Sequence, residues 1–522
     1  MDSACLRYTK IPHTSRLFTD FSYDFERVAQ FYSHPPGDFE KAAAEIEYPD
    51  ERRAALVRAL RQQNGDSPAL DLLAKRGTVA VVTGQQVGLF SGPAYTIYKA
   101  LTAVRLARDL TARGIPAVPL FWLATEDHDL AEVGRAWIFD SAHQPVALEV
   151  AAHPGSQQPV GGIHLDSVPR LPLQESLQSF PYADEVAALV DRAYPDGVTL
   201  GGGFKALLQE LLREYGLLYV DPLCPELRKI GARFLARAFA GVADVKALLV
   251  ERNRALESAG YHAQVHVDSQ TSLFFLLENG RRVTLRRQNG DYVSRERRYS
   301  PAELAERSSE LSPNALLRPV MQDYILPTVA YIGGPAELAY LAQAQVIYRT
   351  LLGRMPVVMP RAGFTLVDAR AAKLLKRFGL VLTDVFEGDV ALREQIAQTL
   401  LPESVSSTFS GTTSEITARL QCLSTELNRF DSTLSAALEK SRSKILYQLR
   451  KLEQKVAREA LRREERAQAD AAFLSGLLFP HKHLQERLYC ILPFLAQHGF
   501  SLIDRLYENV RLECPDHQVL TL

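Results

Sequence analysis

The sequence predicts an α/β protein, with a parallel sheet broken by two insertions and followed by a region of long helices. Three observations lead there. Short apolar runs at 79–82, 117–124, 217–221, 328–332 and 356–359 suit strands covered on both faces. Glycine loops and helical periods stand between them, as in strand–helix–strand units. From 416 to 456, apolar residues recur every three or four positions. At 522 residues the chain exceeds one simple core, and about two to four domains are expected.

In chain order, residues 21–73 read as helical, broken by the SHPPGD turn at 33–38. Residues 79–82 are apolar and β-branched, and the loop 83–92 precedes a helix at 93–113. Pro93 suits its first turn, and Gly114 supplies its stop. The strand 117–124 completes the unit. Residues 1–134 therefore hold N-terminal helices and the first half of the core. A first insertion, 135–205, reads as short strands and loops rich in Gly and Pro. A core strand segment occupies 206–224. The second insertion, 225–320, begins helical and then carries two Asn-Gly turns between strand-like runs, the mark of an antiparallel meander. The second half of the core spans 321–385. In the helical region 386–483, Ile416, Leu420, Leu423, Leu427, Phe430 and Leu434 form one apolar stripe. Leu438, Ile445, Leu449, Leu452 and Val456 form a second after a phase slip, with Asp431 as a cap between two helices. Such a stripe serves either internal packing or a dimer seam. The charged run 458–470 reads as a solvated face, and a helical tail occupies 484–522.

Composition narrows the function. Hydrophobic content of 47% with 23% charged residues fits an ordered fold. A formal net charge of −1 gives no electrostatic reason to bind nucleic acid or an anionic membrane. No stretch approaches the roughly 20 apolar residues that span a bilayer. The five cysteines form no CxxC pair, so neither a zinc cluster nor a disulfide framework is expected, and a cytoplasmic location fits.

Chemistry concentrates at strand ends. The loop TGQQVGLFSGP follows a strand and opens a helix, where open α/β sheets bind ligands. Thr83, Gly84, Gln85, Gln86, Gly92 and Tyr95 are its candidate binding residues, with backbone N–H groups at the helix start available to an anion. It is neither a Walker A loop nor GxGxxG. The next strand ends in TEDHD and should open onto the same crevice. Glu126, Asp127, His128 and Asp129 are thus candidates for cation or ammonium binding and proton transfer, or for a helix cap. A second glycine loop, YIGGPAELAY, adds Gly333, Gly334 and Glu337, and Arg361 follows the last strand as an anion partner. The pair HxH at 481–483 lacks a third ligand nearby and reads as solvent-facing or capping; no metal site is assigned.

Taken together, TGQQVGLFSGPAYTIYKA, FWLATEDHDLAEV, AYIGGPAELAYLAQ, MPRAGFTLVD and LFPHKHLQERLYCILPFLAQHG resemble the cysteine ligase family of bacillithiol biosynthesis, the BshC family. The resemblance covers nearly the whole chain, departing at PHKH, where an asparagine is expected after Pro480. It implies a Rossmann-like core similar to class I aminoacyl-tRNA synthetases, two connective insertions and a coiled-coil domain associated with a homodimer. It also implies ATP-dependent joining of cysteine to glucosaminyl-malate, while the carboxylates of TEDHD are the candidates to hold Mg²⁺. The HIGH and KMSKS signatures of those synthetases are absent. Two other functions fit the same residues: a metal-dependent hydrolase or sugar transferase using EDHD, and a non-catalytic coiled-coil scaffold.

Overall fold

All five apolar runs become strands of one parallel sheet in the computed structural model, which describes residues 3–153, 155, 157–268, 270–431 and 433–522. The strands are β1 (Val79–Gln85), β2 (Ala117–Leu123), β3 (Leu218–Val220), β4 (Thr328–Gly333) and β5 (Val357–Pro360). Their order across the sheet is β5-β4-β1-β2-β3, with every neighbouring pair parallel. Helix α1 (Tyr95–Ala112) links β1 to β2, and α2 (Pro335–Leu351) links β4 to β5. On one face, Ala103, Leu106, Ala107 and Leu110 of α1 pack against Val79, Val81, Ala117, Val329 and Ile332. Each fully buried Val, Leu or Ile contributes about 1.5–3 kcal/mol, so this layer anchors the strand ends that carry the chemistry.

The chain divides into two compact units. The first joins Met1–Ser141, Pro145–Thr365 and Glu486–Leu520. It contains the sheet, and its N-terminal strand Ser3–Leu6 pairs antiparallel with residues 517–520.

The first insertion is more helical than its composition suggests. After the antiparallel pair Arg135–Phe139 and Pro145–Glu149 come helices Arg170–Leu177, Ala183–Ala193 and Leu200–Leu211. The last begins with three glycines, which read as loop in the sequence because each costs about 1 kcal/mol in a helix. Packing overrides that cost. A β-carbon on Gly203 would stand 2.3 Å from the Tyr194 ring, so only glycine lets the helix lie against that tyrosine. In the second insertion both Asn-Gly turns form hairpins, with Asn279 and Asn289 at positive φ. Their strands belong to two three-stranded sheets instead of one continuous meander.

The second unit joins Ala142–Gln144, Leu366–Gln485 and Thr521–Leu522. It therefore takes in residues 366–385, which the sequence reading placed in the core. Helices Ala369–Phe378 and Leu382–Phe386 pack on helix Glu465–Leu478. Periodicity reveals which face of a helix is apolar but not which neighbour covers it. The long helices α3 (Glu403–Phe430) and α4 (Leu434–Arg463) form the expected hairpin, and Asp431 accepts hydrogen bonds from the Thr433 N–H and hydroxyl at the turn. The run 458–470 is not wholly solvated: Asp470 is buried and pairs with Arg370 and Arg377 at 3.3 and 3.4 Å.

Candidate active site

The carboxyl ends of all five strands open onto one cleft of about 600 Å³ within the first unit. Gly84 and Gln85 line it from β1, residues 124 and 126–128 from the end of β2, and Pro222 from beyond β3. Gly334 and Glu337 enter after β4, and Arg361 after β5. The glycine loop and the acidic cluster are in direct contact. Gln86 Nε2 donates to Asp127 Oδ2 at 2.7 Å, and the backbone N–H of His128 donates to Asp127 Oδ1 at 2.7 Å. Register explains the meeting: β1 and β2 pair from Val79–Ala117 through Gln85–Leu123, so both chains leave the sheet side by side. Gly84 permits this, since a β-carbon there would lie 2.8 Å from the Trp122 carbonyl oxygen.

The four acidic-cluster residues separate by role. Glu126 is buried, accepting from Arg228 at 2.6 Å and from the Ser312 hydroxyl at 2.9 Å. Its charge is already neutralised, so it braces the second insertion against β2 and is unsuited to proton transfer. Asp127 and His128 keep side-chain exposures of 29% and 30%, and Arg282 stands 4.0 Å from Asp127. His128 Nδ1 has no hydrogen-bond partner. Asp129 does not line the cleft; it caps the short helix Leu130–Val133 by accepting from the Glu132 N–H at 3.2 Å.

Three loop candidates are also structural. The Thr83 hydroxyl donates to the Ile332 carbonyl at 2.9 Å and is fully buried between strands. Gly92 (φ 62°) closes the turn before α1, and Gly333 ends β4, where a β-carbon would crowd Glu337. Neither glycine reaches the cleft. Tyr95 does, and its phenol accepts from Gln85 Nε2 at 3.2 Å.

At both helix starts the protein's own groups take some of the backbone N–H donors. At α1, the Ala94 N–H donates to the Tyr489 carbonyl at 2.7 Å, and the Thr96 and Ile97 N–H groups go to Pro93 and Ala94. At α2, Glu337 Oε2 accepts from the Gly334 N–H at 2.7 Å. Glu337 thus caps α2 and lines the cleft. It is also half of a buried pair with Lys99, whose ammonium lies 2.5 Å from Glu337 Oε2. Lys99 donates further to the Gly84 carbonyl at 3.0 Å and to Gln85 Oε1 at 2.9 Å, tying the two glycine loops together. Burial opposes the Glu337 charge, but Lys99 outweighs it and holds the carboxyl below its usual pKa. Burial draws the Lys99 pKa below the usual ammonium value, with Glu337 opposing.

Arg361 is likewise committed. It grips Glu486 in a two-pronged ion pair, at 2.6 and 3.0 Å, with both side chains buried. Burial opposes the guanidinium charge, yet the Glu486 carboxylate raises the Arg361 pKa above its ordinary value. Its expected part as an anion partner is taken by a residue of its own chain.

Lys99, Arg228, Arg282, Ser312, Arg318, Glu486 and Arg487 escaped the sequence reading. Lys99 left one sign, a lone charge inside the otherwise apolar TIYKALTAV. Arg228 and Ser312 reach Glu126 across 102 and 186 residues, Glu486 reaches Arg361 across 125, and Arg318 reaches Tyr340 across 22. Among the described residues no group of three or more His, Cys, Asp or Glu is arranged to hold a metal, and His481 and His483 are exposed. Among the described residues no helix is long and apolar enough to cross a membrane.

Fold and cleft define an α/β protein with a charged ligand site at the carboxyl edge of a parallel, Rossmann-like sheet. Comparison with known proteins makes the class specific. Residues 1–362 match the model of the bacillithiol biosynthesis BshC N-terminal Rossmann-like domain, and 364–522 match that of its C-terminal coiled-coil domain. The chain belongs to the BshC family. A relative from Solibacter usitatus, named "Putative cysteine ligase BshC", is 52% identical over 100% of both chains. Relatives of the same name from Koribacter versatilis and Salinibacter ruber are 36% identical, over 99% of both chains, and 33% identical, over 97% and 96%. A solved chain from Campylobacter jejuni, titled an arginyl-tRNA synthetase, aligns over 90% of this chain and 100% of its own at 10% identity, with a TM-score of 0.24.

Proposed function

We propose that this protein is an ATP-dependent ligase that joins the carboxyl of cysteine to the amine of glucosaminyl-malate, the last step of bacillithiol biosynthesis. The observation that carries the proposal is full-length identity of 52% to a relative bearing the cysteine ligase name. The contact of Gln86 with Asp127 at the sheet's carboxyl edge supports it. A carboxylate and an ammonium do not condense usefully at neutral pH. ATP enters as a co-substrate that activates the cysteine carboxyl. The chain must then free the attacking amine of its proton. In this reading Asp127, oriented by Gln86, binds the ammonium and accepts that proton, and His128, whose Nδ1 lies 3.8 Å from Asp127 Oδ1, passes it on. Glu126 and Arg228 act as positioning residues beneath them. No step is assigned to Mg²⁺, for which the described residues offer no group of three or more His, Cys, Asp or Glu.

The wider reading is a cytoplasmic homodimer built through the α3–α4 hairpin. The apolar residues that this hairpin leaves exposed support pairing between chains: Leu423 at 46%, Phe430 at 85% and Leu452 at 51%.

The test is turnover of cysteine, glucosaminyl-malate and ATP by the purified protein, beside thiol analysis of a deletion strain. Asp127→Asn and His128→Ala should each lower kcat by about 10²–10³ without loss of fold. Product formation independent of ATP, or normal bacillithiol in a deletion strain without a second copy, would sink the proposal.

A further inference from the structure

We infer that Cys5 and Cys514 form a redox-active dithiol, which a soluble low-molecular-weight disulfide closes into a bond stapling the first strand to the segment before the last. Neither residue lines the cleft, and the dithiol stands independently of the function proposed above. Only the identity of the cellular disulfide rests on that function, whose product is a thiol.

The sequence scatters its cysteines, and no spacing pairs these two. The fold brings them together across 509 residues, with Cys514 Sγ donating to Cys5 Sγ at 3.6 Å. Strand Ser3–Leu6 places Cys5 opposite Gln518, just beyond Cys514. Tyr23 clasps the same two segments: its hydroxyl accepts from the Tyr8 N–H at 2.8 Å and donates to Asp516 Oδ1 at 2.7 Å. Ladder and clasp hold the sulfurs in register. Closing 3.6 Å to the roughly 2.05 Å of an S–S bond lies within the reach of side-chain rotation.

The two sulfurs differ in a way that assigns their order. Cys5 is exposed and accepts a second hydrogen bond, from Arg511 Nη1 at 3.6 Å. Exposure beside a guanidinium is the setting of reactive cysteines. Cys514 is partly covered, and burial raises its thiol pKa, with the hydrogen bond to Cys5 adding to the effect. Of the remaining thiols, Cys490 is buried, Cys224 donates to the Glu226 carboxylate at 3.0 Å, and Cys422 stands exposed on α3.

The Cys5 thiolate attacks one sulfur of the small disulfide R–S–S–R, forming Cys5–S–S–R and expelling R–S⁻. Cys514, its proton lost, then attacks the Cys5 sulfur and expels the second R–S⁻. The protein dithiol is oxidised, the small disulfide is reduced to its thiols, and the protons of Cys5 and Cys514 pass to the leaving sulfurs. In a reducing compartment such a bond is transient, which suits a sensor better than a permanent brace.

The test is incubation of the full-length protein with glutathione disulfide, followed by alkylation and peptide mass spectrometry. Cys5 and Cys514 should be recovered as one cross-linked peptide pair within a single chain, and dithiothreitol should reopen it. Cys422→Ser should leave the cross-link unchanged. Cys514→Ser should halt Cys5 at the mixed disulfide with glutathione, and Cys5→Ser should slow oxidation of Cys514 about tenfold or more. The oxidised wild type should unfold about 3 °C or more above its reduced form, a shift absent in Cys514→Ser. Mapping of the wild type decides the matter even where a variant fails to fold, and it needs no turnover. Unreacted thiols under excess glutathione disulfide, a glutathione adduct on Cys5 without the cross-link, a bridge between chains, or equal unfolding temperatures before and after oxidation overturns the staple.

Discussion

The two units use the same raw materials in opposite ways. In the sheet-bearing unit most large apolar residues are buried, with Leu171, Tyr182 and Phe500 as exposed exceptions, and charges are buried in matched pairs, Arg361 with Glu486 and Lys99 with Glu337. Along the α3–α4 hairpin, the described residues of α3 include none that is buried, and α4 buries only Leu438, Ala457 and Leu461. Its ion pairs, such as Glu459 with Arg462 and Arg463, lie on the surface. The contrast teaches that the first unit spends most of its apolar residues on its own core, whereas the hairpin leaves Leu423, Phe430 and Leu452 exposed.

The largest break in that contrast should come from Glu486→Ala. It leaves the Arg361 guanidinium buried and unpaired, a loss of about 3–5 kcal/mol in urea unfolding. Removing the surface carboxylate in Glu459→Gln should leave the same transition where it was. Next, Leu120→Ala opens a cavity under the sheet and should cost about 2–5 kcal/mol. Leu452→Ala on the hairpin should change the stability of the isolated chain by less than about 0.5 kcal/mol. It should nevertheless shift sedimentation from dimer toward monomer; a wild type that sediments as a monomer removes the dimer.

A subtler difference should appear with pH. His517 is fully buried in the sheet-bearing unit, its Nε2 2.8 Å from the Thr365 hydroxyl, and burial pulls its pKa down to about 4 from an ordinary 6.5, Arg361 adding to the effect and Glu486 opposing it. The unfolded chain therefore binds this proton first. Stability from the neutral imidazole is complete above the unfolded value and drains away as pH falls from 6.5 toward about 4, on the order of 3 kcal/mol. Glu486 and Glu337, with depressed folded pKa values, add a loss at lower pH still. His517→Gln should flatten the slope between pH 6.5 and 4 in unfolding curves, while hairpin substitutions should not.

Much of the fold was legible because buried parallel strands leave unbroken β-branched runs, as at 79–82 and 328–332. The meeting of Gln86 with Asp127 followed from topology, since neighbouring parallel strands end at one edge. What stayed hidden depended on partners distant in sequence. A glutamate three positions into a helix can be a cap or a ligand; Glu337 is a cap because Gly334 offers its N–H and Lys99 lies behind it. Arg361 at a strand end looks free until Glu486 folds onto it. Helix Leu200–Leu211 was obscured by its own glycines, whose purpose lies in a tyrosine outside the helix.

The place of Glu486 in the chain carries a consequence for how the molecule is made. It follows Arg361 by 125 residues, with the second unit emerging between them, and residues 517–520 must still arrive to pair with Ser3–Leu6. A nascent chain halted on the ribosome before position 486 holds its strands but lacks both the counter-ion and the closing strand. The cleft is therefore finished last, and ribosome-bound fragments short of that point should be open to protease at the sheet's carboxyl edge.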